Sequence, residues 1–346
     1  MDPFFDFEKP IFQLETKLKE LRELAKNEKL DLKSEIKNIE EKIQALTTST
    51  YAHLTPWQRV QLSRHPNRPY AGDYIEALFP DFMELHGDRA FGDDAAIVGG
   101  SATFEDHPIL ILANQKGRST RQKMERNFGM ARPEGYRKAI RLMELAHRMG
   151  MPILTLIDTP GAYPGADAEE RGQAQAIAES IQTLFRVRSP ICAVVIGEGG
   201  SGGALALGVA DRVLMQEYST YSVISPESCA SILWSDASLA EKAADRLKIT
   251  PPDLLRLGVI DQIIPEPLGG AQRDWTQASQ LLLKSLREQF LPLIQDWVNP
   301  PSSTRKNSKK VRSPSSGSAQ TLGFEHQRRE KFRKMGLEAF TSDIGN

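Results

Sequence analysis

The spacing of hydrophobic positions changes along the chain, and these changes divide it into predicted elements. Between Leu14 and Leu46, leucine and isoleucine recur every three or four residues among Lys and Glu. This spacing predicts two amphipathic helices, separated by a break at Asn27–Asp31. The apolar seams of this helical hairpin are narrow, so the hairpin packs either against a partner protein or against its own domain. From Ala95 onwards the spacing becomes that of β-strands.

Residues 95–264 alternate predicted strands with predicted helices. Ala95–Phe104 and Ile109–Ala113, separated by a turn, are typical of a β-hairpin. Ile153–Ile157 is a short run, apolar at every position except Thr155, of the kind found in strands buried on both faces. The alternation as a whole predicts a mostly parallel α/β core whose binding sites lie at the strand ends.

Helices are predicted where apolar residues recur at helical spacing between turn signals. Asp167–Phe185 is expected to form one helix, and Gln272–Trp297 is expected to form one long helix. Ser225 is expected to cap a helix that has Pro226 at its first position. The other predicted helices are Trp57–Ser63, Asp73–Leu78, Gly135–Met149, Leu239–Leu247 and Pro252–Leu257, and the other predicted strands are Arg212–Met215, Tyr221–Ile224 and Val259–Ile264.

The most informative stretch is Ile191–Leu207. An apolar run is followed by five glycines within the seven residues Gly197–Gly203 and then by a small-residue helical pattern. Such a strand–turn–helix junction directs unpaired backbone N–H groups out of the helix start, where the helix dipole also favours negative charge. The stretch therefore predicts an anion hole made of main chain, and the alternative is a glycine-rich packing turn without a ligand.

A sharper alternative rests on Ser201. Gly199–Gly203 fits the G-x-S-x-G pattern of a hydrolase nucleophile elbow, in the required context between a strand and a helix. In such hydrolases the histidine follows the serine in the chain, and of the six histidines only His326 does so, beyond a low-complexity segment. The serine therefore lacks a plausible base, and the anion hole is the favoured interpretation.

Composition restricts the classes of partner. The 346 residues carry 44 Lys plus Arg against 45 Asp plus Glu, so a net charge of −1 gives no global attraction to nucleic acid or to anionic membranes. Cys192 and Cys229 are too few for a disulfide framework or a zinc site, so no metal is predicted on this chain and a reducing compartment is expected. No signal peptide and no run of membrane-spanning length is recognised, which predicts a cytosolic or plastid-stromal protein.

Two basic segments each allow two interpretations, a solvated surface or a binding site. The loop Gln115–Arg118 is predicted to be solvated, with phosphate contact as the alternative. Residues 302–318 contain five Lys or Arg and no acid, which predicts a disordered linker before a basic helix at Gln327–Gly336. Nucleic-acid binding by this tail is less favoured than a solvated or partner-docking tail. The predicted division is a helical hairpin at 1–50, a main domain at 51–298, the linker at 299–320 and a C-terminal helix at 321–346.

Nine motifs occur in order along the chain: Asp6–Pro10, Arg64–Pro69, Gln115–Arg118, Arg126–Met130, Pro133–Ala139, Asp158–Gly165, Ile191–Leu207, Tyr221–Glu227 and Ile263–Gly270. Through these motifs the chain resembles the carboxyltransferase alpha subunits of multisubunit acetyl-CoA carboxylase, of the bacterial and plastid type, from about residue 5 to residue 298. It departs from the residues usual in that family at Asn114, Ala131 and Ser228.

The resemblance implies a fold and a reaction. The fold would be α/β, a crotonase-like (ClpP/crotonase) spiral of β-β-α units with an N-terminal helical hairpin and a C-terminal helix. The reaction would transfer the carboxyl group of carboxybiotin, carried on the biotin carboxyl carrier protein and loaded by biotin carboxylase, to acetyl-CoA. The product would be malonyl-CoA for fatty acid synthesis. Biotin itself would serve as the base, which accounts for the lack of a catalytic base in the sequence.

The resemblance also implies roles for residues and partners. The backbone N–H groups of Gly202 and Gly203 would form the oxyanion hole on the biotin side, and Gly199, Gly200 and Ser201 would shape that loop. The segment with Gly161, Ala162 and Tyr163 would lie beside the biotin approach. A beta subunit would supply the acetyl-CoA side of the site and a zinc ribbon. The two subunits would form an α2β2 heterotetramer, so this chain alone would be half an active site.

Overall fold

The computed structural model describes residues 4–28, 31–300 and 323–336. Single 3₁₀ turns occur at Asp6–Glu8, Asn127–Gly129 and Ala237–Leu239. The helices are α1 (Lys9–Glu28), α2 (Lys33–Ala52), α3 (Pro56–Ser63), α4 (Ala71–Leu78), α5 (Thr120–Glu125), α6 (Pro133–Met149), α7 (Ala166–Glu170), α8 (Gln173–Arg186), α9 (Ser201–Gly208), α10 (Pro226–Trp234), α11 (Ala240–Leu247), α12 (Pro251–Arg256), α13 (Trp275–Gln289), α14 (Leu291–Val298) and α15 (Phe324–Lys334).

A single mixed sheet forms the centre of the fold. Its strands are β1 (Met83–Glu84), β2 (Ile97–Phe104), β3 (His107–Asn114), β4 (Ile153–Thr159), β5 (Ile191–Gly200), β6 (Arg212–Gln216), β7 (Thr220–Ser222) and β8 (Gln262–Ile264). Their order is β1-β2-β3-β4-β5-β6-β8, with β7 also paired to β5. The pairs β1·β2 and β2·β3 are antiparallel, and the other pairs are parallel, so the predicted hairpin and the mostly parallel core are both confirmed.

Helices cover both faces of the sheet. Along β4, Ile153 and Ile157 pack into a core shared with α6, α8 and α9, whereas Leu154 and Leu156 pack into a second core shared with α4, α13 and α14. A strand buried on both faces favours apolar residues on both, which explains the apolar residues at four of the five positions Ile153–Ile157. The fifth, Thr155, is buried and donates its hydroxyl to the Leu207 carbonyl at 2.8 Å. The carboxyl ends of β4 and β5 therefore meet at one edge, where the glycine-rich segment begins.

The N-terminal hairpin is confirmed as the pair α1 and α2. Its base packs on the main body, where Ile11 and Tyr51 share a small core with Tyr218. The buried Tyr51 hydroxyl donates a hydrogen bond to Glu8 Oε1 at 2.7 Å. The base of the hairpin thus contacts its own chain, which is one of the two alternatives that its narrow seams left open.

Two predicted helices are wrong in their length. The helix expected over Asp167–Phe185 is divided into α7 and α8 by Gly172, which has a left-handed backbone with φ 78°. The helix expected over Gln272–Trp297 is divided into α13 and α14 at Phe290. Pro292 explains this second break, because proline has no N–H for the helix ladder and its ring clashes with the preceding turn.

The basic C-terminal helix α15 docks on the chain's own core. The Arg328 side chain is fully buried and donates to both carboxylate oxygens of Asp211 and to the carbonyls of Leu184, Val187 and Ser189. Lys331 pairs with Asp261 at 2.5 Å. These two cations are used within the fold rather than presented to nucleic acid. The predicted linker at 302–318 lies outside the described residues.

Thr55 provides a test of local helix capping. Its hydroxyl accepts the Gln58 N–H at 3.2 Å, and the Gln58 side chain accepts the Thr55 N–H at 2.8 Å, forming a capping box at the start of α3. Thr55→Ala is expected to lower the free energy of unfolding by about 1 kcal/mol. Thr48→Ala, at an exposed position inside α2, is the control and should change it by no more than about 0.5 kcal/mol. Equal losses in urea titrations of the two variants would contradict the capping role.

Candidate active site

The glycine-rich segment forms the predicted junction without a connecting loop. β5 ends at Gly200 and α9 begins at Ser201, whose backbone is left-handed with φ 54°. A left-handed non-glycine residue costs about 1–2 kcal/mol and persists only where surrounding contacts impose it. The first N–H groups of α9, those of Gly202 and Gly203 among them, have no carbonyl partner within the helix because of their position.

The loop Asp158–Gly165 packs directly against this junction. A Cβ added at Gly200 would lie 2.1 Å from the Pro160 carbonyl oxygen, and one added at Gly203 would lie 2.6 Å from the Gly161 carbonyl carbon. Backbone atoms cannot give way as side chains do, so these two positions require glycine. Gly161 and Ala162 therefore contact Gly203, and the structure brings these predicted site residues together.

Gly202 differs from its neighbours. A Cβ built there would meet only the Ile177 side chain, at an ordinary contact distance of 3.4 Å, so packing alone does not require glycine at this position. Together with Ser201, Gly202 lines an open cavity of about 330 Å³. The remaining lining is largely apolar: Leu205, Tyr221, Ser222, Val223, Leu247, Lys248, Leu254, Leu257 and Val259.

Tyr221 fixes the other side of the junction, a role that the sequence analysis missed. Its ring lies where a Gly199 side chain would be, 2.7 Å from an added Cβ, and its hydroxyl lies 2.6 Å from a Cβ added at Gly208. Burial raises the pKa of its phenol to about 12. The ring therefore occupies the space left by both glycines.

Tyr163 is held through both its backbone and its ring. Its backbone N–H donates to the Ala131 carbonyl at 3.0 Å, and its carbonyl accepts from the Gln173 side chain at 2.9 Å. The Arg132 guanidinium lies over its ring, 4.6 Å from the centroid. These contacts anchor the loop, so Tyr163 holds the shape of the segment whose Gly161 and Ala162 contact Gly203.

A chain of charged side chains runs behind the junction. Lys116 Nζ lies 2.7 Å from Asp158 Oδ1 and 3.8 Å from Glu198 Oε2. The Arg64 guanidinium bridges two carboxylates, with nitrogen–oxygen distances of 2.7 Å to Glu198 and 2.5 Å to Glu227. Burial disfavours the Lys116 ammonium, but the two carboxylates outweigh it and raise the pKa of this lysine. The prediction of a solvated loop at Gln115–Arg118 is wrong, because the Lys116 side chain is only 14% exposed.

His326 lies too far from Ser201 to act as its general base. Its helix α15 is anchored at the beginning of β5, where Arg328 binds the Ser189 carbonyl and Asp211. Ser201 follows the end of this ten-residue strand, roughly 30 Å away at 3.3 Å per residue. The G-x-S-x-G pattern is therefore not the elbow of a Ser-His hydrolase that uses His326.

Comparison with known proteins identifies the family. A family model described as acetyl co-enzyme A carboxylase carboxyltransferase-like matches residues 4–313. The acetyl-coenzyme A carboxylase carboxyl transferase subunit alpha of Thiobacillus denitrificans is 56% identical over 290 residues, which cover 84% of this chain and 90% of the relative. That of Thermus thermophilus is 57% identical over 287 residues, which cover 82% of this chain and 91% of the relative.

The chain belongs to the family of acetyl-CoA carboxylase carboxyltransferase alpha subunits. It is therefore a subunit of a carboxyltransferase, an enzyme of the transferase class that acts with a beta subunit. The serine hydrolase alternative is not favoured.

Solved structures support the fold. The transcarboxylase 12S structure matches with a TM-score of 0.53 at 18% identity, covering 73% of this chain and 44% of that protein, so this chain spans less than half its length. A Pseudomonas malonate decarboxylase hetero-tetramer in complex with coenzyme A matches at 0.55 and 16% identity, over 79% of this chain and 98% of the matched chain. The predicted crotonase-like α/β fold is confirmed.

Among residues 4–28, 31–300 and 323–336, no group of three or more His, Cys, Asp or Glu side chains could hold a metal ion. Within the same ranges, no helix has the length and apolar character needed to cross a membrane.

Proposed function

We propose that this chain supplies the biotin side of the carboxyltransferase site, while the beta subunit supplies the acetyl-CoA side. Carboxybiotin, delivered by the biotin carboxyl carrier protein, provides the carboxyl group, and acetyl-CoA accepts it to give malonyl-CoA for fatty acid synthesis. The observation that carries the proposal is the start of α9, where N–H groups without helical partners adjoin an apolar cavity lined by Gly202.

The chain's own residues act mainly through their backbone. The N–H groups of Gly202 and Gly203 donate to the oxygen that gains negative charge as the carboxyl group is transferred. Preorganised donors of this kind contribute on the order of 3–4 kcal/mol to transition-state stabilisation per contact. Gly199, Gly200 and Ser201 set the direction of these N–H groups. Gly161, Ala162 and Tyr163 hold the junction in place from the neighbouring loop.

The cavity fits the bicyclic ring of biotin in its chemistry. The ring is apolar apart from a ureido group, and the cavity is mostly apolar, with Ser201, Gly202, Ser222 and Lys248 as its polar lining residues. Small-molecule sites are commonly apolar with a few oriented polar groups of this kind. The biotinyl group would enter over Leu205 and Val223, with its ureido oxygen directed towards Gly202.

The beta subunit is proposed to cover the rim of this cavity. Val223 is 77% exposed at the cavity mouth, and α10, which begins three residues later, exposes Ile232 and Leu233. Large apolar side chains exposed next to a half-site are typical of a protein interface. We assign the occupant as the beta subunit in an α2β2 assembly, in which the zinc ribbon lies on that subunit.

The proposed reaction is tested in the reverse direction, in which malonyl-CoA carboxylates free biotin. The assay contains this chain and a cognate beta subunit. The pair is expected to form carboxybiotin and acetyl-CoA in equal amounts. Hydrolysis of malonyl-CoA without any carboxybiotin, abolished by Ser201→Ala, would contradict carboxyl transfer and favour a hydrolase.

Blocking the cavity provides a second test. Leu257 lines the cavity, whereas Leu255 lies two residues away and is exposed outside it. Leu257→Trp is expected to raise the KM for free biotin at least about tenfold, because the larger side chain fills the space for the ring. Leu255→Trp is the matched control and should leave KM unchanged. Equal KM values for the two variants would place biotin elsewhere.

A further inference from the structure

The ion pair of Lys116 and Asp158 lies behind the catalytic junction and reaches it through one atom. Asp158 Oδ1 accepts the Lys116 ammonium at 2.7 Å and the Glu198 backbone N–H at 2.9 Å. Glu198 directly precedes Gly199 and Gly200, the last residues of β5. A single carboxylate oxygen therefore ties the loop after β3 to the backbone that leads into the glycine turn.

The strand pairing is irregular at this carboxylate. Ile157 pairs with Val195 and Thr159 pairs with Gly199, so β4 advances two residues while β5 advances four. Irregular pairing bends a strand and redirects the side chains and backbone that follow it. Asp158 lies in this irregular step and binds the N–H of Glu198 within it. The carboxylate thus fixes the path of β5 at the point where it turns towards α9.

Neighbouring residues leave space for the pair and restrict its movement. A Cβ added at Gly197 would lie 2.4 Å from Asp158 Oδ1, so glycine at this position admits the carboxylate. A Cβ added at Gly129 would lie 2.8 Å from Lys116 Cγ. Gly129 ends a run of three left-handed residues with Asn127 and Phe128, at φ 46°, 57° and 83° in chain order. Residues held in such sparsely populated backbone regions cluster at functional sites.

We propose that Lys116 and Asp158 are positioning residues that aim the Gly202 and Gly203 N–H groups at the reacting oxygen. This inference rests on the proposed function. The side chains of Lys116 and Asp158 are only 14% and 3% exposed, so the pair acts through the backbone rather than on the substrate itself. It holds Glu198, and through Glu198 the glycine turn, in the arrangement that the transition state requires. A displacement of about 1 Å at such donors lowers a rate on the order of 100-fold.

The chain contains a matched control at the other end of β5. Asp211 Oδ2 accepts the Ile191 N–H at 2.7 Å and pairs with the buried Arg328, also at 2.7 Å. Both aspartates therefore bind a β5 backbone N–H and a buried cation. Only Asp158 does so beside the glycine turn. A purely structural role predicts similar consequences for the two, whereas a positioning role predicts different ones.

The test compares Asp158→Ala with Asp211→Ala in the complex with the beta subunit, with rates normalised to assembled complex. Asp158→Ala is expected to lower kcat about 100-fold with the KM for biotin within about threefold, because positioning acts on the transition state rather than on binding. Asp158→Asn, whose amide oxygen can accept both hydrogen bonds, should recover at least about tenfold. Asp211→Ala should lose stability but keep its kcat within about twofold.

The outcomes separate this inference from the proposed function. A wild-type complex that forms no carboxybiotin overturns the proposed function. A wild-type complex that is active while Asp158→Ala keeps its kcat, or loses no more than Asp211→Ala, overturns the positioning role alone. Where Asp158→Ala yields no folded complex, Asp158→Asn is compared with Asp211→Asn. A lower kcat in Asp158→Asn but not in Asp211→Asn supports the positioning role, and equal kcat values for the two variants overturn it.

Discussion

Gly202→Val is expected to lower kcat/KM for malonyl-CoA-dependent carboxylation of biotin by at least about 100-fold while the fold is retained. Its Cβ has room, with Ile177 at 3.4 Å, and Gly202 does not have a left-handed backbone. The two γ-methyl groups, however, would extend into the cavity that Gly202 lines, where the reacting oxygen is proposed to bind. Loss of one oxyanion donor typically costs 100- to 1000-fold. Steady-state kinetics of the complex measures this effect.

Two neighbouring variants control for packing and for the serine. Ser201→Ala adds no atom to the cavity and should reduce activity far less than Gly202→Val. Gly203→Ala places a Cβ 2.6 Å from the Gly161 backbone and should lose stability, by about 1–3 kcal/mol, as well as activity. The proposed oxyanion hole would be contradicted if Gly202→Val kept near-wild-type activity while Ser201→Ala lost all activity.

Arg68→Met is expected to lower the free energy of unfolding by about 3–5 kcal/mol. Arg68 and Glu266 form an ion pair whose side chains are 1% and 0% exposed, joined at 2.9 and 2.6 Å. Arg68 also donates to the Ile196 carbonyl of β5 at 2.8 Å. Removing the guanidinium leaves the Glu266 charge buried without a cation. Urea titration monitored by circular dichroism measures the loss.

Arg22→Met is the matched control for this substitution. Arg22 pairs with Glu40 at 2.6 Å across the hairpin, but both side chains are exposed, so the loss should stay below about 1 kcal/mol. The double variant Arg68→Met with Glu266→Gln should recover part of the loss, since it removes the unpaired charge. An Arg68→Met variant as stable as Arg22→Met would contradict the importance of this buried pair.

Patterns that are local in the sequence predicted most of the elements. The β2–β3 hairpin, the helix α6 and the junction of β5 with α9 follow from spacing and turn residues that lie within each segment. The two wrong helix lengths also had local signals, Gly172 and Pro292, which interrupt otherwise periodic segments. Their effect on the backbone outweighs the hydrophobic period.

Contacts between distant segments were beyond the sequence analysis. Lys116 and Asp158 are 42 residues apart, and Arg68 and Glu266 are 198 apart, so no spacing links them. A basic loop has the same composition whether it is solvated or buried against carboxylates. Arg328 is a similar case. The basic sequence of α15 does not indicate that Arg328 binds the carbonyl at the end of α8 and the Asp211 carboxylate. Only the fold brings these charges together.

If this chain holds only half of an active site, activity must depend on the beta subunit, and a complementation experiment measures that dependence. The rate of malonyl-CoA-dependent biotin carboxylation should be measured for this chain alone, for the beta subunit alone and for the two mixed at increasing ratios. Neither subunit alone is expected to be active, and the rate of the mixture should saturate when the two subunits are equimolar. Full activity of this chain alone would contradict its role as half of the site.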